Sequence, residues 1–261
     1  MTTTTSQNTS PGLDDLVGLV ALVTGATSGI GRATASILAA RGARALVHGR
    51  NQDRGEQVVV AIRSAGGDAE VVLGELGDPL AVRSLARRAV ELGYGHVDIL
   101  VNNASLFPIG GLTPATPVED IDAAFAVNVR TPFLLVAELA PAMAARGHGA
   151  IVNVLSTAGE IGIAGLGLYG ATKAALALLT RSWAAEFGPS GVRVNAISPG
   201  PTSTPGTAAT VAFIEQIAAQ APAGRVAAPD EIAAAISYLA GPGASFVQGA
   251  VLAVDGGRTA V

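Results

Sequence analysis

Seven short runs of nearly uninterrupted apolar residues, at 19–24, 43–48, 69–73, 97–101, 150–155, 192–197 and 250–254, alternate with helix-patterned segments at 32–41, 54–65, 79–92, 118–146, 168–187 and 229–239. A strand that is apolar on both sides must be covered on both faces, and a helix between successive strands supplies the crossover that parallel pairing requires. The alternation therefore predicts an α/β chain with a Rossmann-like, doubly wound parallel sheet of about seven strands and helices on both faces. No linker or composition break divides residues 16–261, so they read as one domain. Residues 1–15 are mostly polar, too poor in apolar residues for a signal peptide, and read as a disordered leader. One stretch breaks the rhythm: 201–226 is rich in proline, threonine and alanine, with a short apolar helix near 211–217. It reads equally as a substrate lid or as a surface loop.

The first apolar run leads into Thr24-Gly25-Ala26-Thr27-Ser28-Gly29-Ile30-Gly31 and then a helix. Strand, glycine turn and helix in that order make a phosphate cradle, because glycines permit close backbone approach and the helix N-terminus presents unpaired N–H groups. A glycine-rich connection with no ligand is the other reading.

Residues 156–173, STAGEIGIAGLGLYGATK, carry the chemistry. Lys173 is the only lysine among sixteen basic residues. Tyr169 lies four residues before it, so on a helix the phenol and the ammonium share a face. A neighbouring ammonium favours the phenolate and draws the phenol's pKa down from about 10 toward the working range of an acid–base catalyst. Ser156 ends the 150–155 run and emerges at a strand's carboxyl end, where ligands bind in open α/β sheets. Alone, Tyr-x-x-x-Lys also fits a core tyrosine beside a surface lysine.

Composition narrows the classes. There is no cysteine, and His48, His96 and His148 have no zinc-ligand spacing, so neither a disulfide framework nor a metal centre is expected. A net charge of −4 offers no attraction for nucleic acid or an anionic membrane, and no run is expected to reach the length of a membrane span. A cytoplasmic protein is expected.

With these pieces in order, the chain from about residue 16 to 257 resembles the short-chain dehydrogenase/reductase family. The resemblance is carried by Thr24-Gly25-x-x-x-Gly29-x-Gly31, by Asn102-Asn103-Ala104 and by Asn128. It extends through Ser156, Tyr169 and Lys173, Pro199-Gly200 with Thr204, and Asp255-Gly256-Gly257. It implies reversible hydride transfer between a nicotinamide and a carbonyl or secondary alcohol carbon. Tyr169 would be the general acid or base, Ser156 the hydrogen-bond partner of the substrate oxygen, and Lys173 the group that tunes the phenol and holds the nicotinamide ribose. Asn128 would belong to a water relay. Pro132 frees the carbonyl four residues earlier and should kink the 118–146 helix there, whether for the relay or only to bend the helix. The cofactor contacts implied are Thr24, Gly25, Thr27, Ser28, Gly29, Ile30, Gly31, Arg50, Asn51, Glu75, Leu76, Asn102, Ala104, Tyr169, Lys173, Pro199, Gly200, Thr202 and Thr204.

The second strand ends Val47-His48-Gly49-Arg50-Asn51, with no carboxylate for a ribose 2′-hydroxyl and a guanidinium able to bind a 2′-phosphate. NADP(H) is therefore preferred over NAD(H), Arg50 as a solvated cation being the alternative. Three departures from the family pattern stand out: Glu75 for an aspartate near the adenine, Ser105 for the glycine after Asn-Asn-Ala, and Leu155 for the first of a serine pair.

By the family arrangement, Ser156, Tyr169, Leu106, Phe107, Ile163, Leu166, Leu168 and Phe213 would face a mainly apolar substrate, with Glu160 as a polar contact; ordinary core and loop packing is an equal reading for any one of the apolar residues. A small-molecule carbonyl or alcohol ranks above a 3-oxoacyl carrier-protein or CoA thioester, since the lid offers little basic charge beyond Arg225. A non-catalytic dinucleotide sensor would not need Ser156, Tyr169, Lys173 and Asn128 together. Apolar residues on more than one face of the 168–187 helix suggest a subunit interface, and the resemblance implies a homo-oligomer, a tetramer or dimer; packing of that face within its own chain is the other reading.

Overall fold

The computed structural model describes residues 15–107 and 111–261. The expected leader lies outside them except for Asp15, whose carboxylate accepts from Arg41 Nε at 2.8 Å and so belongs to the folded body.

Seven strands are present: β1 (Val20–Val23), β2 (Arg44–Gly49), β3 (Asp68–Leu73), β4 (Ile99–Asn102), β5 (Gly149–Val154), β6 (Val192–Pro199) and β7 (Val251–Val254). They form one sheet in the order β3-β2-β1-β4-β5-β6-β7, and every neighbouring pair is parallel. Side chains alternate across it. In β1, Ala21 and Val23 enter one core with α1 (Gly29–Ala40), α2 (Gln52–Ser64) and α8 (Pro229–Ala240). Val20 and Leu22 enter the other with α3 (Pro79–Leu92), α5 (Thr131–Arg146) and α6 (Gly167–Phe187). Each large side chain buried this way contributes roughly 1.5–3 kcal/mol, which is why the apolar runs must be continuous.

The strand order reverses direction between β1 and β4. At such a switch point the connecting segments diverge and leave a crevice at the carboxyl ends of the strands. The glycine turn, the end of β2, the Asn102-Asn103 pair, Ser156 and Pro199 all fall on that edge.

The helix expected at 118–146 is interrupted in the predicted place. Residues Val118–Phe125 form α4, Ala126–Arg130 form a single π turn, and α5 follows. The Thr131 N–H reaches back five residues to the Ala126 carbonyl, and Pro132 enters α5 in its first turn. This composite helix, Val118–Arg146, is long and apolar enough by composition to cross a membrane, which corrects the expectation that no such run exists. Here it packs against α3, β5 and α6.

The 201–226 excursion holds a short 3-10 segment, Pro205–Thr210, and α7 (Val211–Ala218). Its base is closed by a parallel bridge between Thr202 and Ala227, with Ser203 N–H donating to Ala227 O at 2.9 Å.

Candidate active site

A cavity of about 530 Å³ opens at the switch point, within the range of small-molecule sites. Its floor is the glycine turn. Thr24 is buried beneath it, with Oγ1 donating to Val101 O and accepting the N–H groups of Asn103 and Ala104 at 3.0 Å. Asn103 Nδ2 donates to Thr24 O at 2.8 Å. The end of β4 thus clamps the turn that follows β1. Gly31 permits this packing, since a Cβ there would lie 2.4 Å from Gly25 O. Thr24 and Gly31 shape the turn and do not line the cavity, whereas Gly25, Thr27, Ser28, Gly29 and Ile30 do. Ser28 leaves the start of α1 without a side-chain cap, and no acid occupies its first turn. The free N–H groups and positive helix end on the cavity wall therefore suit a pyrophosphate.

At the end of β2, Gly49 and Arg50 line the cavity, joined by Arg54 from the first turn of α2, which sequence reasoning missed. A Cβ on Gly49 would lie 2.3 Å from Thr27 Cγ2, so an acidic side chain could enter here only by displacing Thr27. Asn51 does not reach the cavity: its Oδ1 caps α2 by accepting from Arg54 N at 2.9 Å. Asn102 is also absent from the lining. Its Nδ2 donates to Asn153 Oδ1 at 2.8 Å in the core, and it is Asn103 that lies at the cavity wall. Glu75, Leu76, Ala104, Pro199, Gly200, Thr202 and Thr204 line it as expected.

His48, read from sequence only as an isolated histidine, is buried beside the turn. Its Nδ1 accepts from Gly25 N–H at 3.2 Å, so Nε2 carries the proton, 3.2 Å from Gly74 O. Burial, aided by the Arg50 charge, pushes its pKa down to about 4 despite the bond to Gly74. Its placement at the end of β2 was the only sequence signal for this role.

Ser156, Tyr169 and Lys173 meet on the opposite wall. Ser156 caps a 3-10 turn, Thr157–Gly159, its Oγ accepting from Ala158 N at 3.2 Å while its own proton stays free to donate. Helix α6 crosses this turn so closely that a Cβ on Gly170 would lie 2.2 Å from Ala158 O, and that approach brings Tyr169 to Ser156. Lys173 is 2% exposed, its Nζ donates to Val154 O at 2.8 Å, and it stands 5.5 Å from the centre of the Tyr169 ring. Burial pushes Tyr169 up to about 12 against the pull of the Ser105 and Ser156 hydroxyls, and pushes Lys173 down to about 7. The expected lowering of the phenol by the ammonium does not appear in the protein alone, because desolvation is the larger effect on both groups.

Asn128 is buried beside the cavity instead of lining it. Its Oδ1 accepts from Leu106 N at 2.8 Å and Ser105 Oγ at 3.2 Å, and its Nδ2 donates to Thr172 Oγ1 at 3.1 Å. The side chain thereby fixes the loop after β4 to α6 and seats Phe107 against Tyr169, ring centres 4.8 Å apart.

Of the expected substrate contacts, Leu106, Phe107, Ile163, Leu166 and Phe213 line the cavity, with Ile214 and Ile217 of α7 in addition. Leu168 and Glu160 do not. Leu168, one residue before Tyr169 on α6, faces another way, and Leu166 takes the place beside the phenol's approach.

Comparison with known proteins agrees with this geometry. The family model for enoyl-(acyl carrier protein) reductase matches residues 25–259. Among characterised relatives, a cis-4-hydroxycyclohexanecarboxylate dehydrogenase from Sinomonas cyclohexanicum is 43% identical over 248 residues, covering 93% of this chain and 97% of the relative. Among solved structures, a short-chain dehydrogenase/reductase family protein is 49% identical with a TM-score of 0.88, over 95% of this chain and 100% of the other. A putative NAD(P)-dependent gluconate 5-dehydrogenase from Beutenbergia cavernae, with NADP bound at low occupancy, is 38% identical with a TM-score of 0.89, covering 96% of this chain and all of the other. Switch-point cavity, glycine turn and these relatives agree: the chain belongs to the short-chain dehydrogenase/reductase family, whose members carry out NAD(P)-dependent hydride transfer on alcohols and carbonyls.

Proposed function

We propose that this chain is an NADP-preferring oxidoreductase acting on the secondary alcohol or carbonyl of a small, mainly apolar molecule. The observation that carries it is the convergence of Tyr169, Ser156 and Lys173 on one wall of a cavity whose other end holds the glycine turn and the guanidinium-bearing residues Arg50 and Arg54. A bound nicotinamide supplies or accepts the hydride. In reduction Tyr169 gives its phenolic proton to the substrate oxygen, and in oxidation the phenolate takes it back. Ser156 donates its free proton to that same oxygen and stabilises charge as it builds. Lys173, held by Val154 O, places its amine behind the phenol and toward a cofactor ribose. Gly25, Gly29 and the uncapped start of α1 fit the pyrophosphate, and Arg50 with Arg54 fits a 2′-phosphate.

The cavity mouth is apolar, with Leu106, Phe107, Ile163, Leu166 and Phe213 around the phenol. This favours a compact alicyclic or aliphatic alcohol; the Sinomonas relative is named for a ring alcohol that also carries a carboxylate, cis-4-hydroxycyclohexanecarboxylate. Arg225, the basic residue available to meet an acidic carrier protein, is already paired with Glu231 at 2.7 Å, which weighs against a carrier-borne substrate. Residues 201–226 act as the lid, with α7 supplying Phe213, Ile214 and Ile217. Phe133, 49% exposed, and Leu178, 62% exposed, lie on the solvent side of α5 and α6 and support assembly through these helices into a homo-oligomer.

The test is oxidation of NADPH and of NADH against ketones, aldehydes and 3-oxoacyl thioesters, with Tyr169→Phe as control. Turnover favouring NADPH and lost in the variant is expected. Equal or better turnover with NADH overturns the cofactor reading, and activity retained in the variant overturns the role of Tyr169.

A further inference from the structure

We propose that Asn153 and Thr180 are positioning residues, a buried post that sets where α6 sits along β5 and so where Lys173 and Tyr169 stand in the cavity. The proposal deepens the reading above and rests on it.

Helix α6 carries both reacting groups, yet Gly170, Leu176, Trp183 and Ala184 on its buried side are small or apolar. Apolar contact is non-directional, so it holds a helix down without fixing its place along a strand. Directional bonds can do that. Lys173 and Thr180 are seven residues apart, about two turns, and therefore share a face. Their partners are consecutive on β5: Lys173 Nζ donates to Val154 O at 2.8 Å, and Thr180 Oγ1 meets Asn153 Nδ2 at 2.9 Å. β5 thus grips one face of α6 twice. Asn128 steadies the same helix from the π turn through Thr172, leaving the sheet side to Asn153.

The direction of each bond follows from a donor count. Thr180 Oγ1 donates its one proton to Leu176 O at 2.8 Å, so toward Asn153 it only accepts, and the Asn153 amide must present Nδ2 to it. Asn153 Oδ1 then faces β4, where Asn102 Nδ2 donates to it at 2.8 Å from the paired register position. Asn102 and Asn153 are buried on the sheet face that carries Leu100 and Ile151, two residues earlier in each strand. A shift of α6 would leave polar groups unpaired in that apolar layer, so one position of the helix satisfies them. The same shift would carry Lys173 Nζ from Val154 O and the phenol from Ser156, and a misplacement of about 1 Å can slow a reaction about a hundredfold.

The test uses Thr180→Val, which keeps the side chain's shape and changes its acceptor to a methyl, with Thr180→Ser, which keeps the hydroxyl. Leu38→Ala, in the core on the other side of the sheet, is the control for destabilisation alone. One readout needs no substrate: in protein grown on 13C-labelled lysine, the chain's one lysine gives one side-chain signal, followed by NMR against pH. Its midpoint in the parent should lie near 7, where burial holds the amine, and Tyr169, raised to about 12, does not titrate in that range. In Thr180→Val the midpoint should rise by about one unit, a tenfold smaller neutral fraction at neutral pH, and Thr180→Ser should restore it. With NADPH and a carbonyl that is turned over, kcat should fall about tenfold or more in Thr180→Val, while KM for NADPH, set at the glycine turn and Arg50, barely moves. Asn153→Leu removes the post from the strand side and should act in the same direction, so misfolding of one variant leaves the other. A midpoint that stays in place in both, or that moves as far in Leu38→Ala, overturns the proposal, as does a loss that Thr180→Ser fails to rescue. If no carbonyl is turned over by the parent while the midpoint still moves in Thr180→Val, the function reading fails and the positioning stands.

Discussion

The backbone N–H of Gly25 donates to Nδ1 of His48 at 3.2 Å, which ties the first glycine of the cofactor turn to a buried imidazole at the end of β2. Gly25 has φ +65, a conformation that needs both glycine and a fixed partner, and His48 supplies the partner. With its pKa near 4 in the fold against 6.5 unfolded, His48 contributes stability above pH 6.5 that is lost as pH falls toward 4. The full effect is about 3 kcal/mol, at about 1.4 kcal/mol per pH unit. Urea midpoints measured against pH should show this slope in the parent and a flatter one in His48→Asn. The asparagine keeps an acceptor for Gly25, so NADP(H) affinity should survive in it and fall several-fold in His48→Ala.

Lys173 gives the opposite end of the pH range. Its folded pKa of about 7 lies below the 10.5 of the free side chain, so unfolding takes up a proton between these values and stability rises with pH. Tyr169, raised from 10 to about 12, opposes this only above pH 10. Denaturant titrations between pH 7 and 10 should show a gain of about 1.4 kcal/mol per unit at most, absent in Lys173→Met. A Lys173→Met variant with the same slope would remove Lys173 as its source.

Gly170→Ala should damage both fold and catalysis. The added methyl would stand 2.2 Å from Ala158 O, and relief requires α6 to lift from the turn that holds Ser156. A loss of about 1–3 kcal/mol in unfolding free energy is expected. A fall in kcat at saturating cofactor should accompany it, while Gly167→Ala, whose Cβ would meet nothing within 4 Å, should leave both nearly intact.

Arg50→Ala and Arg54→Ala should each raise KM for NADPH about tenfold or more and leave KM for NADH nearly unchanged, since a guanidinium–phosphate bond is charge-assisted. Steady-state kinetics with both cofactors separates this from a general loss of binding. Equal losses for the two cofactors would assign the arginines to the adenine or ribose instead of the 2′-phosphate.

The sheet and its helix layers were legible because the strands are apolar on both sides and the crossovers repeat, a signal spread over the whole chain. The π turn was legible in part: Pro132 announced a break, but only the fold shows that Thr131 bonds five residues back. Residues whose backbone approaches the cavity, such as Gly25 and Pro199, could be placed from motif order. Those whose side chains choose between two faces could not. Asn102 is the last residue of β4 and Asn103 the first beyond it, and their side chains go to different partners, Asn153 in the core and Thr24 under the glycine turn, a choice set by which segments pack beside the strand end. Asn51 and Arg54 both lie near the end of β2, and capping of α2 turns the first away while the second meets the cavity. The depth of burial around Tyr169 and Lys173 was likewise hidden, because desolvation depends on neighbours brought from distant segments.

The solitary lysine has a practical corollary. Lys173 is the chain's one side-chain amine, it borders the cavity, and near neutral pH a good share of it is uncharged and therefore nucleophilic. An acylating or reductively alkylating reagent small enough to enter will mark one internal position, and mass spectrometry of that peptide becomes a direct gauge of site occupancy. Shielding of Lys173 during a ligand screen would report any molecule that fills the cavity, whether or not it is turned over.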